Sequence, residues 1–306
     1  MKANAAELLR RMRREIKISQ AELAEKLFVS PRQISRIETG QISVDIWQFI
    51  SMMELLGYPP EDFWLLYLES EEYEGYKLYR RLRLLSFDDD NEEKKEIIGK
   101  LKSYGLAEKP FIKQYVALSE IVPKINANEI PYNQIIKELT DILLISMKEF
   151  DERKLHIYRL THNEINVLCV MAASMFEHGE KDKGISMMEA IISGKHNVIA
   201  SEADKGDALA HLYSNLSTML MKAKKYDDCI HYSQQLLNIC RTYDKMHPSL
   251  VALYNMSVCY NGIGEEQMYK IYLTRAYNLA KILRFDLIAQ FAKKSLEKDF
   301  GLIDLQ

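Results

Sequence analysis

The stretch SQAELAEKLFVSPRQISRIETG, residues Ser19–Gly40, contains the signals for two short helices joined by a tight turn. An S-x-x-E capping box begins the first helix at Ser19, and a Ser-Pro step begins the second at Ser30. The chain turns at Phe28 between them, and Gly40 supplies the left-handed residue that ends the second helix. These signals predict a helix-turn-helix unit at the start of the chain.

The second helix of this unit has an apolar face and a polar face. Ile34 and Ile37 share the inward face. The opposite face consists of Arg32, Ser35, Arg36 and Thr39. If the helix stood alone, this pattern would also fit an ordinary surface helix whose polar face is in contact with solvent. In a helix-turn-helix unit, however, the second helix enters the DNA major groove, where arginine binds guanine and Ser or Thr binds phosphates or bases.

The segments SQAELAEKL, VS and ISRIETG resemble the XRE/Cro/repressor helix-turn-helix family at fixed spacing, and the likeness extends over residues 5–68. This resemblance implies roles for individual residues. Gln20, at the start of the first helix of the unit, is expected to hold a phosphate. The residues expected at base edges or flanking phosphates are Arg32, Gln33 and Arg36, and those expected at the DNA backbone are Ser30, Ser35 and Thr39.

Three further positions bear on this comparison. Glu38 matches the acidic residue that family members pair with an arginine of the first helix of the head, here Arg13, in a structural ion pair. Gln33 has an alternative role, because it completes an S-x-x-Q capping box with Ser30 and would then make no DNA contact. Pro31 stands where many relatives carry a polar residue that reads a base, which is a departure from the family pattern.

The charge of the chain is unevenly distributed. Residues 1–40 carry nine Lys and Arg against five Asp and Glu, whereas the remaining residues carry 32 against 39. A basic end on an acidic body indicates that the N-terminal region meets a polyanion.

Other patterns exclude several classes of protein. The four cysteines have no metal-ligand spacing, so we expect buried, reduced thiols without zinc or disulfides. The acidic run DDDNEE, residues 88–93, lacks the glycine and the twelfth-position ligand of a calcium loop, so no metal or other cofactor is predicted. No apolar run approaches the length of a membrane span, and no signal peptide is visible, so we expect a cytoplasmic protein without membrane contact.

The chain as a whole is predicted to be all-α, because amphipathic runs of helical period are separated by short breaks. The predicted domains are a five-helix XRE-type head at 1–68, a linker at 69–75 and a helical repeat domain at 76–306. The last two helices of the head are placed at about Val44–Leu56 and Pro60–Leu68. Its core candidates are Trp47, Ile50, Met53 and Leu55, whereas Phe63 and Trp64 are expected to pack on the next domain.

Three segments of the body, 168–191, 213–237 and 254–277, form a degenerate repeat. Each contains an apolar helix with a small inner residue, a charged turn and a second apolar helix. The small residues Ala172, Ser217 and Ser257 lie 45 and 40 residues apart. The segments resemble tetratricopeptide repeats, and such hairpins stack into a right-handed α-solenoid with a concave surface lined by the first helix of each hairpin.

Asparagines recur on these first helices. Asn215 and Asn255 occupy equivalent inward positions, and Asn166 lies one turn earlier on the preceding repeat. An amide side chain has a donor and an acceptor, so a row of asparagines can hold the backbone of an extended peptide. Alternatively, these asparagines only cap turns or face solvent. The remaining candidate peptide-binding residues are His211, Thr218 and Tyr254.

An XRE-type head on a tetratricopeptide-like body resembles the RRNPP regulators of Gram-positive bacteria, in particular their Rgg and PlcR-like members. The resemblance implies a quorum-sensing transcription regulator without enzymatic activity, controlled by a short signalling peptide and bound to a DNA operator. It also implies a homodimer, which we expect to be held by the repeats around Leu250–Leu305. Three alternatives are an XRE repressor whose repeats bind a protein partner, a regulator that needs no peptide, and an enzyme like the repeat relatives that dephosphorylate response regulators.

Overall fold

A computed structural model describes residues 2–57, 72–85, 92–194 and 198–301 of the chain. The described residues form α-helices joined by connections, of which that between α8 and α9 contains a 3₁₀ helix, Glu152–Lys154. They contain no β-strand apart from an isolated bridge between Thr161 and Ile199. The prediction of an all-α fold is confirmed. No helix among these residues is long and apolar enough to cross a membrane.

The chain folds into two compact units. The first contains residues 1–174 and 196–202, and the second contains residues 175–195 and 203–306. The first eight helices, all in the first unit, are α1 (Lys2–Glu15), α2 (Gln20–Lys26), α3 (Pro31–Glu38), α4 (Ile46–Leu55), α5 (Glu72–Arg83), α6 (Glu92–Ser103), α7 (Pro110–Asn126) and α8 (Tyr132–Leu143). The helices that follow are α9 (His162–Glu177), α10 (Lys181–Ser193), α11 (Glu202–Lys222), α12 (Tyr226–Thr242), α13 (Met246–Gly262), α14 (Glu266–Leu283) and α15 (Asp286–Phe300).

Helices α2 and α3 begin where the sequence signals place them, directly after Ser19 and Ser30. The capping box of α2 is complete, because the Ser19 hydroxyl accepts from Glu22 N and the Glu22 carboxylate accepts from Ser19 N. The turn before α3 contains Phe28, whose φ of 55° is left-handed. The predicted fifth helix, Pro60–Leu68, lies outside the described residues together with Phe63 and Trp64. The predicted domain limits therefore stay a prediction.

Helix α4 contributes to two hydrophobic cores of the first unit. One face supplies the head core with Phe49, Met52, Met53 and Leu55. Another face supplies Ile46, Trp47 and Ile50 to a core that it shares with α5, α6 and α7. Full burial of an apolar side chain of this size contributes about 1.5–3 kcal/mol. All four predicted core positions on α4 are buried, and the packing of the head continues into the helices that follow it.

Helices α9 to α14 coincide with the predicted repeat segments. The small residues Ala172, Ser217 and Ser257 are fully buried, as the repeat pattern requires. The turns inside the three helix pairs each contain one left-handed residue, and these are Gly179, Lys224 and Gly264. They lie 45 and 40 residues apart (224 − 179 and 264 − 224), which is the spacing of the sequence repeat. The same turn is therefore built three times, and the predicted helical repeats are confirmed.

Candidate nucleic-acid interface and repeat-domain polar cluster

Helix α3 has the two faces that its sequence predicts. Ile34 and Ile37 are buried in the head core. Arg32, Arg36 and Thr39 are exposed on the other face, and Gln33 and Ser35 are half-buried beside them. Within the described part of the chain neither arginine forms an ion pair or a side-chain hydrogen bond, so both guanidinium groups keep their N–H donors for a ligand.

The two ends of α3 are held by local hydrogen bonds. The Ser30 hydroxyl accepts from Gln33 N at 3.2 Å, but the Gln33 side chain makes no return bond among the described residues, so only half of the predicted capping box forms. At the other end the Thr39 hydroxyl donates to Ser35 O at 2.9 Å. Gly40 follows with a φ of 70°. Gln33 thus presents a free amide, whereas Thr39 would have to rotate to donate to a phosphate.

A buried network joins α1, α2 and α3. Arg13 Nη2 donates to Glu38 Oε2 at 2.9 Å, and Arg13 Nη1 donates to Ile18 O at 2.9 Å. Gln20 Nε2 also donates to Glu38 Oε2, at 2.8 Å. Burial would raise the pKa of Glu38, but the hydrogen bonds from Arg13 and Gln20 outweigh it and hold this pKa below its ordinary value. The expected ion pair is therefore present, and the amide expected to hold a phosphate has a partner inside the head.

A second buried ion pair was not predicted from the sequence. Lys26 Nζ of α2 lies 3.1 Å from both carboxylate oxygens of Glu164, whose side chain is fully buried. Glu164 also accepts from Thr161 N at 2.7 Å and from the Ser146 hydroxyl at 2.7 Å. The sequence does carry a signal for half of this site, because T-x-x-E at 161–164 is a capping box for α9. Its long-range partner Lys26 has no local signature.

The candidate peptide-binding asparagines occupy three different environments. Asn166 is buried in the first unit. Asn215 is half-buried in the second unit, and its amide donates to His211 O, four residues earlier in its own helix, at 2.9 Å. Asn255 is buried, and its amide donates to Ser217 Oγ at 3.0 Å and to Thr218 Oγ1 at 3.1 Å. The amide donors of Asn215 and Asn255 thus have partners inside the protein.

These contacts belong to a polar cluster that connects α11, α12 and α13. The thiol of Cys229 donates to Ser217 O at 3.2 Å, and the Ser217 hydroxyl donates to Ser214 O at 3.1 Å. Tyr254, next to this cluster, is half-buried, which raises the pKa of its hydroxyl, and its ring centroid lies 6.1 Å from that of Phe291. All four cysteines are free and buried, as predicted.

The fold and the face of α3 define a helix-turn-helix protein whose head is followed by helical repeats. Residues 5–64 match the family described as "Helix-turn-helix domain". No curated protein matches the chain.

Solved structures share this fold over the whole chain. PlcR of Bacillus thuringiensis, in complex with the peptide PapR7 and DNA, is 16% identical, with a TM-score of 0.57 over 95% of this chain and 99% of PlcR. ComR of Streptococcus vestibularis, in complex with its cognate signalling peptide XIP, is 15% identical, with a TM-score of 0.54 over 98% of this chain and 99% of ComR. Apo ComR of S. thermophilus is 13% identical with a TM-score of 0.55 over 98% of this chain. The predicted resemblance to the RRNPP regulators is confirmed for the fold.

Proposed function

We propose that the protein is a DNA-binding transcription regulator whose helix α3 reads an operator through its exposed face. The observation that carries this proposal is the pair Arg32 and Arg36, four residues apart, exposed and without ion-pair partners in the described chain, on a helix whose other face is buried. Arginine is suited to bidentate hydrogen bonds with guanine in the major groove. The basic first forty residues add a favourable field for DNA.

Substitution of these arginines tests the proposal. Arg32→Ala and Arg36→Ala should each weaken operator binding by about 1–3 kcal/mol and relax preference at the contacted base. Arg241→Ala is the matched control, because Arg241 is an exposed arginine on α12. Affinities are measured by fluorescence anisotropy with operator and scrambled duplexes. Unchanged operator affinity in both α3 variants would remove α3 as the reading helix.

We further propose that the regulator acts as a two-fold homodimer held by the C-terminal part of the repeat domain around Leu250–Leu305, with α15 in the interface. Leu287 and Phe291 lie four residues apart on one face of α15, and these two residues are 84% and 53% exposed. Exposed apolar residues on one face are typical of a surface that another protein surface covers. Two heads related by two-fold symmetry would read a palindrome with half-sites about 34 Å or a multiple apart.

Light scattering on the full-length chain tests the dimer. Leu287→Asp should shift the protein towards the monomer at micromolar concentration. Leu84→Asp is the control, because Leu84 is also strongly exposed, at 76%, but lies just after α5. Equal dimerisation in wild type and in the Leu287 variant would exclude this face.

The third part of the proposal is control by a short peptide bound along α11 and α13, the first helices of the two repeats in the second unit. Support comes from the likeness of the fold to PlcR and ComR, which were solved with the peptides PapR7 and XIP. Among the candidate residues, Asn215 is the most accessible asparagine, because Asn166 and Asn255 are buried. Mass spectrometry of peptide released from protein purified from its native host is the direct test. A regulator that needs no peptide would release none and would bind its operator unaided.

A further inference from the structure

The connection between α8 and α9, residues 144–161, lies against α2. Arg159 Nε is 3.4 Å from Glu22 Oε1, and the Lys26–Glu164 pair lies one turn further along α2. Lys148 Nζ is 4.0 Å from Glu25 Oε1. Buried Glu164 anchors this arrangement, because it binds both the end of the connection and α2. The connection is therefore a fixed neighbour of the helix-turn-helix unit.

Arg159 is the residue of this connection that is placed to meet DNA. The carboxylate of its partner Glu22 accepts from Ser19 N at 2.9 Å, so Arg159 lies at the N-terminal end of α2. In a helix-turn-helix complex the first helix of the unit crosses the phosphate backbone. The Arg159 side chain is 40% exposed, and its contact with Glu22 is made through Nε. A guanidinium group has five N–H donors, so the donors on its two terminal nitrogens stay available.

The charge of Glu22 is a second reason to place Arg159 next to DNA. Hydrogen bonds from the backbone and side chain of Ser19 lower the pKa of Glu22, and the charge of Arg159 lowers it further, so Glu22 stays ionised at neutral pH. An ionised carboxylate next to the DNA backbone would repel phosphate. Arg159 neutralises that charge and adds donors at the same place.

We propose that Arg159, from outside the helix-turn-helix head, contacts a DNA phosphate and extends the DNA-binding surface of the protein onto the α8–α9 connection. The ligand is the phosphodiester backbone, so the contact adds affinity without adding sequence preference. This inference rests on the proposed DNA-binding function.

The test is the salt dependence of DNA binding by the full-length protein, measured by anisotropy with operator and with scrambled duplexes. Arg159→Ala should weaken binding to both duplexes by the same factor, roughly threefold to tenfold, because one phosphate contact is lost. The slope of log affinity against log salt should become shallower by about 0.9. Arg159→Lys, which keeps the charge, should restore most of that slope.

Arg153→Ala is the matched control from the same connection. The Arg153 guanidinium is highly exposed, but it is already bound to both carboxylate oxygens of Asp151, at 3.0 and 2.9 Å. This variant should bind both duplexes like wild type and with the same salt slope. An Arg159→Ala variant that is indistinguishable from the Arg153 control would overturn the proposal.

A double variant distinguishes a phosphate contact of Arg159 from simple neutralisation of the Glu22 charge. If Arg159 only cancels the charge of Glu22, then Glu22→Gln combined with Arg159→Ala should bind DNA like wild type, and the proposal is wrong. If Arg159 contacts phosphate, the double variant keeps the shallower salt slope. Failure of the proposed function gives a different result, because the wild-type protein itself would then bind operator and scrambled DNA equally or not at all.

Discussion

Replacing Glu38 by glutamine should destabilise the head by removing the charge that compensates Arg13. The Glu38 side chain is 1% exposed and that of Arg13 is 11% exposed, so solvent screens neither charge. Breaking a buried ion pair by changing one partner costs about 3–5 kcal/mol, because the other charge stays buried. Arg13 keeps its hydrogen bond to Ile18 O, and the new amide can still accept one, so we expect the lower end of that range, about 3 kcal/mol.

Urea unfolding followed by tryptophan fluorescence measures this loss. Both tryptophans lie within the first 68 residues, and Trp47 of α4 is buried in the core that α4 shares with α5, α6 and α7, so the signal reports on α4 and the first unit. With a urea dependence of about 1–3 kcal/mol per molar, the midpoint should fall by about 1–3 M. The control is Glu15→Gln, whose partner Arg11 lies 3.7 Å away on the exposed side of α1 and which should cost under about 1 kcal/mol.

A double variant tests whether the unpaired buried charge of Arg13 causes the loss of stability. Arg13→Met combined with Glu38→Met removes both charges, and replacing a buried ion pair by apolar side chains is often nearly neutral, within about 1 kcal/mol. The double variant should therefore be more stable than Glu38→Gln alone. A Glu38→Gln protein that unfolds at the wild-type midpoint, or a double variant less stable than the single one, would refute the reasoning.

Three further results are expected. The pKa of Glu38 is lowered in the folded state, so the stability that its ionised form contributes is present above pH 4.5, the ordinary value, and is lost as pH falls through the folded pKa. Between pH 7 and pH 3 the urea midpoint should therefore fall less in Glu38→Gln than in wild type. Asn255→Ala should lower the thermal midpoint as well as peptide affinity, because the buried Ser217 hydroxyl and the half-buried Thr218 hydroxyl lose their shared donor. Asn215→Ala should lower peptide affinity with little change in the thermal midpoint, and calorimetry that finds the two variants equally stable contradicts this difference. Lys26→Met should cost about 3 kcal/mol, because the fully buried carboxylate of Glu164 loses its counter-charge, and hydrogen exchange that finds α2 and the start of α9 as protected as in wild type would contradict it.

Local signals predicted the head well, because caps and turns act over three or four residues. The Ser19 capping box, the turn at Phe28 and the left-handed Gly40 are all present where the sequence places them. The small residues of the repeat were also predicted, but for a different reason: two helices can approach closely only where the side chains between them are small.

Long-range pairing could not be predicted in the same way. Lys26 and Glu164 are separated by 138 residues, and nothing in either neighbourhood specifies the other. Asn255 had two interpretations from the sequence, as a peptide ligand or as a residue that caps a turn or faces solvent, and neither named its internal partners. Only the placement of α11 beside α13 provides the hydroxyl groups of Ser217 and Thr218 as acceptors. The sequence pattern identified the residue, and the tertiary packing supplies its contacts.

The most direct test of the account is selection of binding sites from a genomic DNA library by the full-length protein. Wild type should enrich a palindromic or near-palindromic sequence, and the Arg36→Ala variant should lose that enrichment while keeping weak binding to DNA of any sequence. Recovery of no enriched sequence by wild type, or of the same sequence by wild type and by the Arg36→Ala variant, would contradict the claim that α3 reads an operator.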